Sequence, residues 1–283
     1  MEKTISLLKR LWGKKGGYSS RIRTKNKGLK NFRELPTTKC NVNNLKNISD
    51  EELSQIFSNG RIQDEWVSGE PKIDSLKIPN MAGGVNNGDQ RALYSLVRGF
   101  KPISILEIGT HIGSSTIALA MAALKNRQEG VKTKIISTDI IDVNDKDKKH
   151  WEIYGSPGSP ASLLNSIGCK EIVTFEIGSS IEKLKLPRNF NMIFLDGDHS
   201  AKTLYEEIPL ALNSLDNGLI ILHDYFPNLE PLWLNQMPID GPFLATQRFI
   251  KENSIFNVIP FGELPWITKF GSNMTSLACL KKC

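Results

Sequence analysis

Residues 104–115 read Ser104-Ile105-Leu106-Glu107-Ile108-Gly109-Thr110-His111-Ile112-Gly113-Ser114-Ser115. Ile105, Leu106 and Ile108 make a short apolar strand, the glycines at 109 and 113 make a turn, and Ser114 opens an Ala- and Leu-rich helix to Lys125. Glycines at such a turn let backbone approach a ligand, and the helix start favours polar or anionic groups. The spacing is G-x-x-x-G with His111 in the middle. That departs from the G-x-G-x-x-G turn that holds a dinucleotide, and argues against a nicotinamide cofactor.

Working outward, strand and helix alternate. Strands are expected at Lys134–Ile140, Ile172–Glu176, Met192–Leu195 and Leu219–Leu222, with helices at Ser162–Ile167, Ser180–Leu186, Ala201–Leu215 and Phe243–Glu252. Phe256–Ile259 and Ser276–Leu280 close the chain as strands with no helix between them. This order predicts an α/β fold, a doubly wound and mostly parallel sheet whose last strand runs antiparallel. Before it, Ser49-Asp50-Glu51-Glu52 opens a short helix, residues 58–79 read as loop, and a helix starts near Asp89. The expected division is a basic arm over 1–45 and a domain over 46–283, the latter with a helical lead-in and lid (46–102) and a core (103–283).

Acidic residues stand where the predicted strands end. The second strand ends at Asp139, the fourth runs into Asp196-Gly197-Asp198-His199-Ser200, and the fifth into His223-Asp224-Tyr225. In an open parallel sheet the carboxyl ends of the strands share one edge, where ligands bind. A carboxylate after the second strand can accept both ribose hydroxyls of a nucleotide. Asp196 and Asp224 on neighbouring loops can hold a hard divalent cation such as Mg²⁺, which lowers the pKa of a bound hydroxyl. His199 can take that proton. The plainer readings are that Asp196 binds cofactor or caps a helix without metal, and that His199 packs on the helix. Asp198 suits a helix cap, and His223 a hydrogen bond to the neighbouring loop.

The string Glu107-Ile108-Gly109-Thr110-His111-Ile112-Gly113, with Asp139 and the later acidic motifs, resembles the class I S-adenosylmethionine-dependent methyltransferases, whose first motif is E/D-x-G-x-x-x-G. The resemblance covers roughly residues 85–283. It implies that Glu107, Gly109, Thr110, His111, Gly113 and Ser115 surround the methionine part of S-adenosylmethionine. Asp139 would take the ribose, Ile140 and Ser180 the adenine, and Asp196 would also touch the cofactor. For His111 the alternative is a solvated turn residue, and for Ser180 a helix cap. The Asp-Gly-Asp-His-Ser turn is similar to metal-dependent catechol-type and sugar O-methyltransferases, with His199 in the place of the base. Tyr225 stands where the catechol type has asparagine, which leaves a third metal ligand in doubt. Nucleic-acid amino methyltransferases carry a Pro-Pro turn after the fourth strand, and this chain has Gly197-Asp198 there. The resemblance therefore implies O-methylation of a small molecule, and no nucleic-acid partner. A non-catalytic cofactor-binding protein of this fold and a Rossmann-like oxidoreductase are the alternatives.

Three segments can close over the site: 66–88 with Trp66, Met81 and Gly83-Gly84; 142–161 with Trp151 and Tyr154; and 225–242 with Tyr225, Phe226, Trp233 and Met237. Their aromatics suit ring stacking or cover of the core edge, and the acceptor is not legible.

The 283-residue chain has a formal charge of +6. Residues 1–33 alone hold eleven Lys/Arg and one acid, so the arm carries +10 and the rest −4. The basic charge therefore says little about the substrate. Ile5, Leu8, Leu11 and Trp12 fall at helical spacing among lysines, which suits either a membrane-surface or protein contact, or an unfolded arm. The four cysteines lack C-x-x-C spacing and are expected reduced, in a cytoplasmic compartment. No apolar run approaches a membrane span. Similar enzymes often form dimers, which makes a homodimer an expectation.

Overall fold

The computed structural model describes residues 29–40, 44–80, 83–234 and 236–283. Most of the basic arm, the helix expected around Ile5–Trp12, and Met81 of the lid segment lie outside the described residues. The chain divides into two units, Met1–Pro36 and Thr37–Cys283. In the first, residues 29–33 form a helical turn with an exposed Lys30–Glu34 pair.

The second unit spans Thr37–Cys283. Its first described residues are tied in through their backbone: Thr38 N donates to the Tyr205 hydroxyl, Cys40 N donates to Asn253 Oδ1, and Leu45 pairs with Gly218. Three helices then lead in: α1 (Asp50–Phe57), α2 (Gly60–Asp74) and α3 (Asn87–Phe100). Ser49 and Asn86 cap α1 and α3 by accepting the backbone N–H of Glu52 and Asp89. Helix α2 corrects the expected loop. Gly69 and Pro71 suggest a break, yet Ile62, Trp66 and Ile73 fall on one buried face, and Pro71 sits in the last turn. Burial of that face outweighs the local propensities.

The core follows as β1 (Ser104–Ile108), α4 (Ser114–Gln128), β2 (Lys134–Asp139), the single turn α5 (His150–Ile153), α6 (Pro160–Ser166), β3 (Val173–Ile177), α7 (Ser180–Leu184), β4 (Phe190–Leu195), α8 (Ala201–Asn213), β5 (Leu215–Leu222), α9 (Asp240–Glu252), β6 (Phe256–Pro260) and β7 (Ala278–Lys282). The seven strands are ordered β3-β2-β1-β4-β5-β7-β6. The neighbouring pairs from β3 to β5 are all parallel, and β7 runs antiparallel to both β5 and β6. This is the expected α/β, doubly wound and mostly parallel sheet. The final pair does form an antiparallel ladder, but β7 inserts beside β5 and leaves β6 at the edge. Ile105 and Leu106 of β1 and Ile193, Phe194 and Leu195 of β4 are almost fully buried, which is why the central strands read as apolar runs. Helix α4 is buried nearly all round through Ile117, Leu119 and four alanines, and α3 packs against it. Arg98 of α3 joins the lead-in to this layer. Its guanidinium donates to Glu65 at 2.7 and 3.0 Å and to Glu129 at 2.7 Å. Cys279 lies in the core.

The chain turns back on itself between β1 and β4. β1 leads outward to β2 and β3, and β4 returns on the other side. The carboxyl ends of these two strands flank the crevice where doubly wound sheets bind ligands.

Candidate functional site

A cavity of about 550 Å³ opens along the carboxyl ends of β1, β2, β4 and β5. The turn after β1 forms its floor. Gly109 has φ +96°, and a side chain there would meet the Asp196 carbonyl at 2.2 Å, so only glycine lets the two strand ends approach. Gly113 (φ +85°) starts α4 and packs against Pro160. Of the turn residues assigned to the cofactor, Gly109, Thr110, His111 and Ser115 line the cavity, whereas Glu107 and Gly113 do not.

Glu107 lies behind the wall. It is fully buried and accepts the hydroxyls of Ser115 and Thr116, each at 2.6 Å, and of Ser137. Burial pushes its carboxyl up to about 7, against the lowering effect of those three donors. Glu107 thus reaches the cavity only through Ser115, and its direct work is to tie β1, β2 and α4 together beneath the turn.

Asp139 lies on the wall at the end of β2. Its Oδ2 accepts His111 N at 2.9 Å and its Oδ1 accepts Ile141 N at 3.3 Å. A carboxylate held by two backbone donors keeps lone pairs for a diol. Next to it Ile140 presents a largely exposed apolar face. His111 stacks edge-on against Tyr154 at 4.3 Å, and its Nδ1 is buried without a partner. Burial pushes its pKa down, which favours a neutral ring. Ser179, not Ser180, caps α7, in a reciprocal box with Glu182. Ser180 is therefore released from capping and lines the cavity.

At the ends of β4 and β5 the structure brings Asp196, His199 and Asp224 together. His199 Nε2 lies 3.7 Å from Asp196 Oδ1 and 3.6 Å from Asp224 Oδ2, and all three line the cavity. Asp198 turns instead to the start of α8, accepting Ser200 N at 3.0 Å and the Thr203 hydroxyl at 2.7 Å.

His223 makes the expected hydrogen bond to the neighbouring loop, and it also faces two further carboxylates. Its Nδ1 is 2.7 Å from Asp196 Oδ1 and 3.8 Å from Asp224 Oδ1, and its Nε2 faces Asp89 Oδ2 at 3.6 Å. Asp89 is itself fully buried in the first turn of α3, accepting from Asn86 at 2.7 Å and from Thr275. Burial alone would lower the His223 pKa, but the carboxylates of Asp196 and Asp224 outweigh it and hold the ring well above its ordinary value. The available signals were the His-Asp pair at the end of β5 and an aspartate opening α3.

The expected Mg²⁺ pair does not fit this arrangement. A hard divalent ion needs free oxygen ligands. Asp196 Oδ1 is already occupied by His223, and the imidazolium supplies positive charge between the carboxylates. Among the described residues no three His, Cys, Asp or Glu side chains are set to hold a metal ion.

Residues 106–225 match a protein family described as a methyltransferase domain. No curated protein matches the chain. Solved structures similar to it include an O-methyltransferase from Bacillus cereus in complex with SAH (18% identity, 83% of this chain and 92% of that chain, TM-score 0.49). They also include the O-methyltransferase TomG from Streptomyces achromogenes, involved in tomaymycin synthesis, in complex with SAM (19%, 83% and 90%, TM-score 0.48). A third is the SAH-bound methyltransferase PaMTH1 from Podospora anserina (16%, 94% and 97%, TM-score 0.48).

Proposed function

We propose that this chain, whose residues 106–225 match a methyltransferase-domain family, is a class I S-adenosylmethionine-dependent enzyme that transfers a methyl group to a hydroxyl of a small molecule. The observation that carries the reading is His199 on the cavity wall within 3.7 Å of two carboxylates, at the same sheet edge as the glycine turn. When bound, S-adenosylmethionine supplies an electrophilic methyl on a sulfonium.

Asp139 accepts the ribose hydroxyls, Ile140 covers one face of the base, and the Gly109–Ser115 turn holds the methionine end. His199 accepts the acceptor's proton as the O–CH₃ bond forms and the S–CH₃ bond breaks. Asp196 and Asp224 orient His199 and stabilise the imidazolium it becomes. His223 fixes Asp196 by a hydrogen bond. Most of the acceleration comes from alignment of acceptor oxygen, methyl and sulfur. No step passes through a metal ion.

The acceptor is a small alcohol, phenol or sugar. The basic arm serves location or partnership rather than chemistry; among the described residues no helix is long and apolar enough to cross a membrane. Release of S-adenosylhomocysteine across a panel of catechols and sugars tests the reading. Turnover by the wild type and not by His199→Ala is the supporting result; equal turnover by both rules His199 out as the base.

A further inference from the structure

Residues 261–277, which join β6 to β7, clamp the first turn of α3. A side chain at Gly88 would meet the Thr268 Cα at 2.4 Å, so only glycine lets the two backbones touch there. Trp266 Nε1 donates to the Gly88 carbonyl at 2.9 Å. The next residue of α3 is Asp89, which is fully buried and whose Oδ1 accepts the Thr275 hydroxyl. Ser276, beside Thr275, holds the loop after β5: its carbonyl accepts Tyr225 N at 2.8 Å, and its hydroxyl donates to Asp224 Oδ1 at 3.4 Å. Asp89, Trp266 and Thr275 all lie outside residues 106–225, the stretch that matches the methyltransferase-domain family.

Asp89 Oδ2 faces His223 Nε2 at 3.6 Å, on the far edge of the ring from the 2.7 Å contact of Nδ1 with Asp196 Oδ1. The partner of one imidazole nitrogen sets how the other is presented, and a carboxylate at each nitrogen fixes the rotation of the ring. Asp196 Oδ1 is also the atom 3.7 Å from His199 Nε2. A turned His223 ring would release Asp196, and with it a carboxylate that orients His199. We propose that Asp89 is a positioning residue for the methyl transfer: held by Thr275, it keeps the His223 ring set so that Asp196 stays beside His199. This rests on the reading of His199 as the general base. Asp89 does not line the cavity, so it acts only through His223.

The test is a double-mutant cycle on the full chain, with Asp89→Asn, His223→Gln and the two combined. The readout is S-adenosylhomocysteine release with the catechol or sugar that the wild type turns over fastest. Asp89→Asn keeps the shape and removes the charge. It is expected to lower kcat roughly tenfold, the scale of one lost contact to a charged group, and to leave the KM for S-adenosylmethionine within about threefold. The double variant is expected to match His223→Gln alone within about twofold, because Asp89 has nothing left to position. A side chain that merely holds the fold would lose the same factor in both backgrounds, and a double variant slower than that twofold margin overturns the proposal. Thr275→Val removes only the hydroxyl that holds Asp89, and the same cycle run with it replaces the first if Asp89→Asn does not fold. An unchanged kcat in the folded variant also overturns the proposal. A wild type that neither binds S-adenosylhomocysteine nor turns over any acceptor overturns the methyltransferase reading itself, and this inference with it.

Discussion

His223 Nδ1 lies 2.7 Å from Asp196 Oδ1, while the other nitrogen of the same ring faces the buried Asp89 at 3.6 Å. One histidine thus links the first turn of α3 to the carboxylate at the end of β4, on which His199 also rests. Replacement of His223 by Gln should lower kcat by roughly tenfold or more, the scale of a disturbed proton-transfer group. Affinity for S-adenosylhomocysteine should stay within about threefold, because the polar contacts of the ring go to Asp196, Asp224 and Asp89 rather than to Asp139. A loss of cofactor affinity that matches the loss of kcat would contradict the placement.

Removing the base is a larger change. His199→Ala should reduce S-adenosylhomocysteine release by roughly 10²–10⁴-fold, the usual contribution of a general base. The fold should survive, since the ring is one-third exposed at the cavity wall. A melting temperature near that of the wild type, together with lost turnover, is the expected pair of results.

Chelation probes the charge arrangement between Asp196 and Asp224. With His223 already supplying a cation there, EDTA should leave turnover unchanged. Activity lost on chelation and restored by Mg²⁺ would show that His223 gives way to a metal ion.

Glu107 predicts a pH dependence of stability. Its folded pKa of about 7 stands above the roughly 4.3 of an unfolded glutamate, so the folded chain keeps a proton that the unfolded chain releases in that window. Stability contributed by the protonated form is present at low pH and is lost as pH rises through about 7. Glu107→Gln cannot titrate, so its denaturant midpoint should change less between pH 5 and 7.5 than that of the wild type. Parallel profiles for the two proteins would contradict the assignment.

The close approach of the β1 and β4 ends has its own test. Gly109→Ala places a methyl about 2.2 Å from the Asp196 carbonyl and forces an alanine to φ +96°. The cost should be at least about 2 kcal/mol by thermal or denaturant unfolding. Cofactor affinity should fall with it, because relief of the clash moves the cavity floor.

These predictions rest on features that differ in how far local sequence reveals them. The turn Gly109–Gly113, Asp139 and the Asp196–His199 loop were legible because each is a short string at the end of an apolar strand, and strand order places all of them at one edge. Helix α2 was not, because Gly69 and Pro71 mask a face that only tertiary burial makes helical. The burial of Glu107 behind the cavity wall was not legible, because its three hydroxyl partners come from both α4 and β2. The partnership of His223 with Asp89 depends on the packing of α3 against the sheet, which no neighbouring residues announce. The bond that His223 makes to Asp196 was hidden for the same reason, since the histidine stands in the next strand's loop.

The proposed chemistry requires that the cavity at the β1–β4 edge be the S-adenosylmethionine site, with Asp139 on the ribose. Isothermal titration of the full chain with S-adenosyl-L-homocysteine, wild type against Asp139→Ala, tests this directly. The predicted result is one equivalent bound by the wild type and an affinity lower by roughly tenfold or more in the variant, the scale of lost charge-assisted hydrogen bonds. No binding by the wild type, or equal affinity in the two proteins, would contradict it.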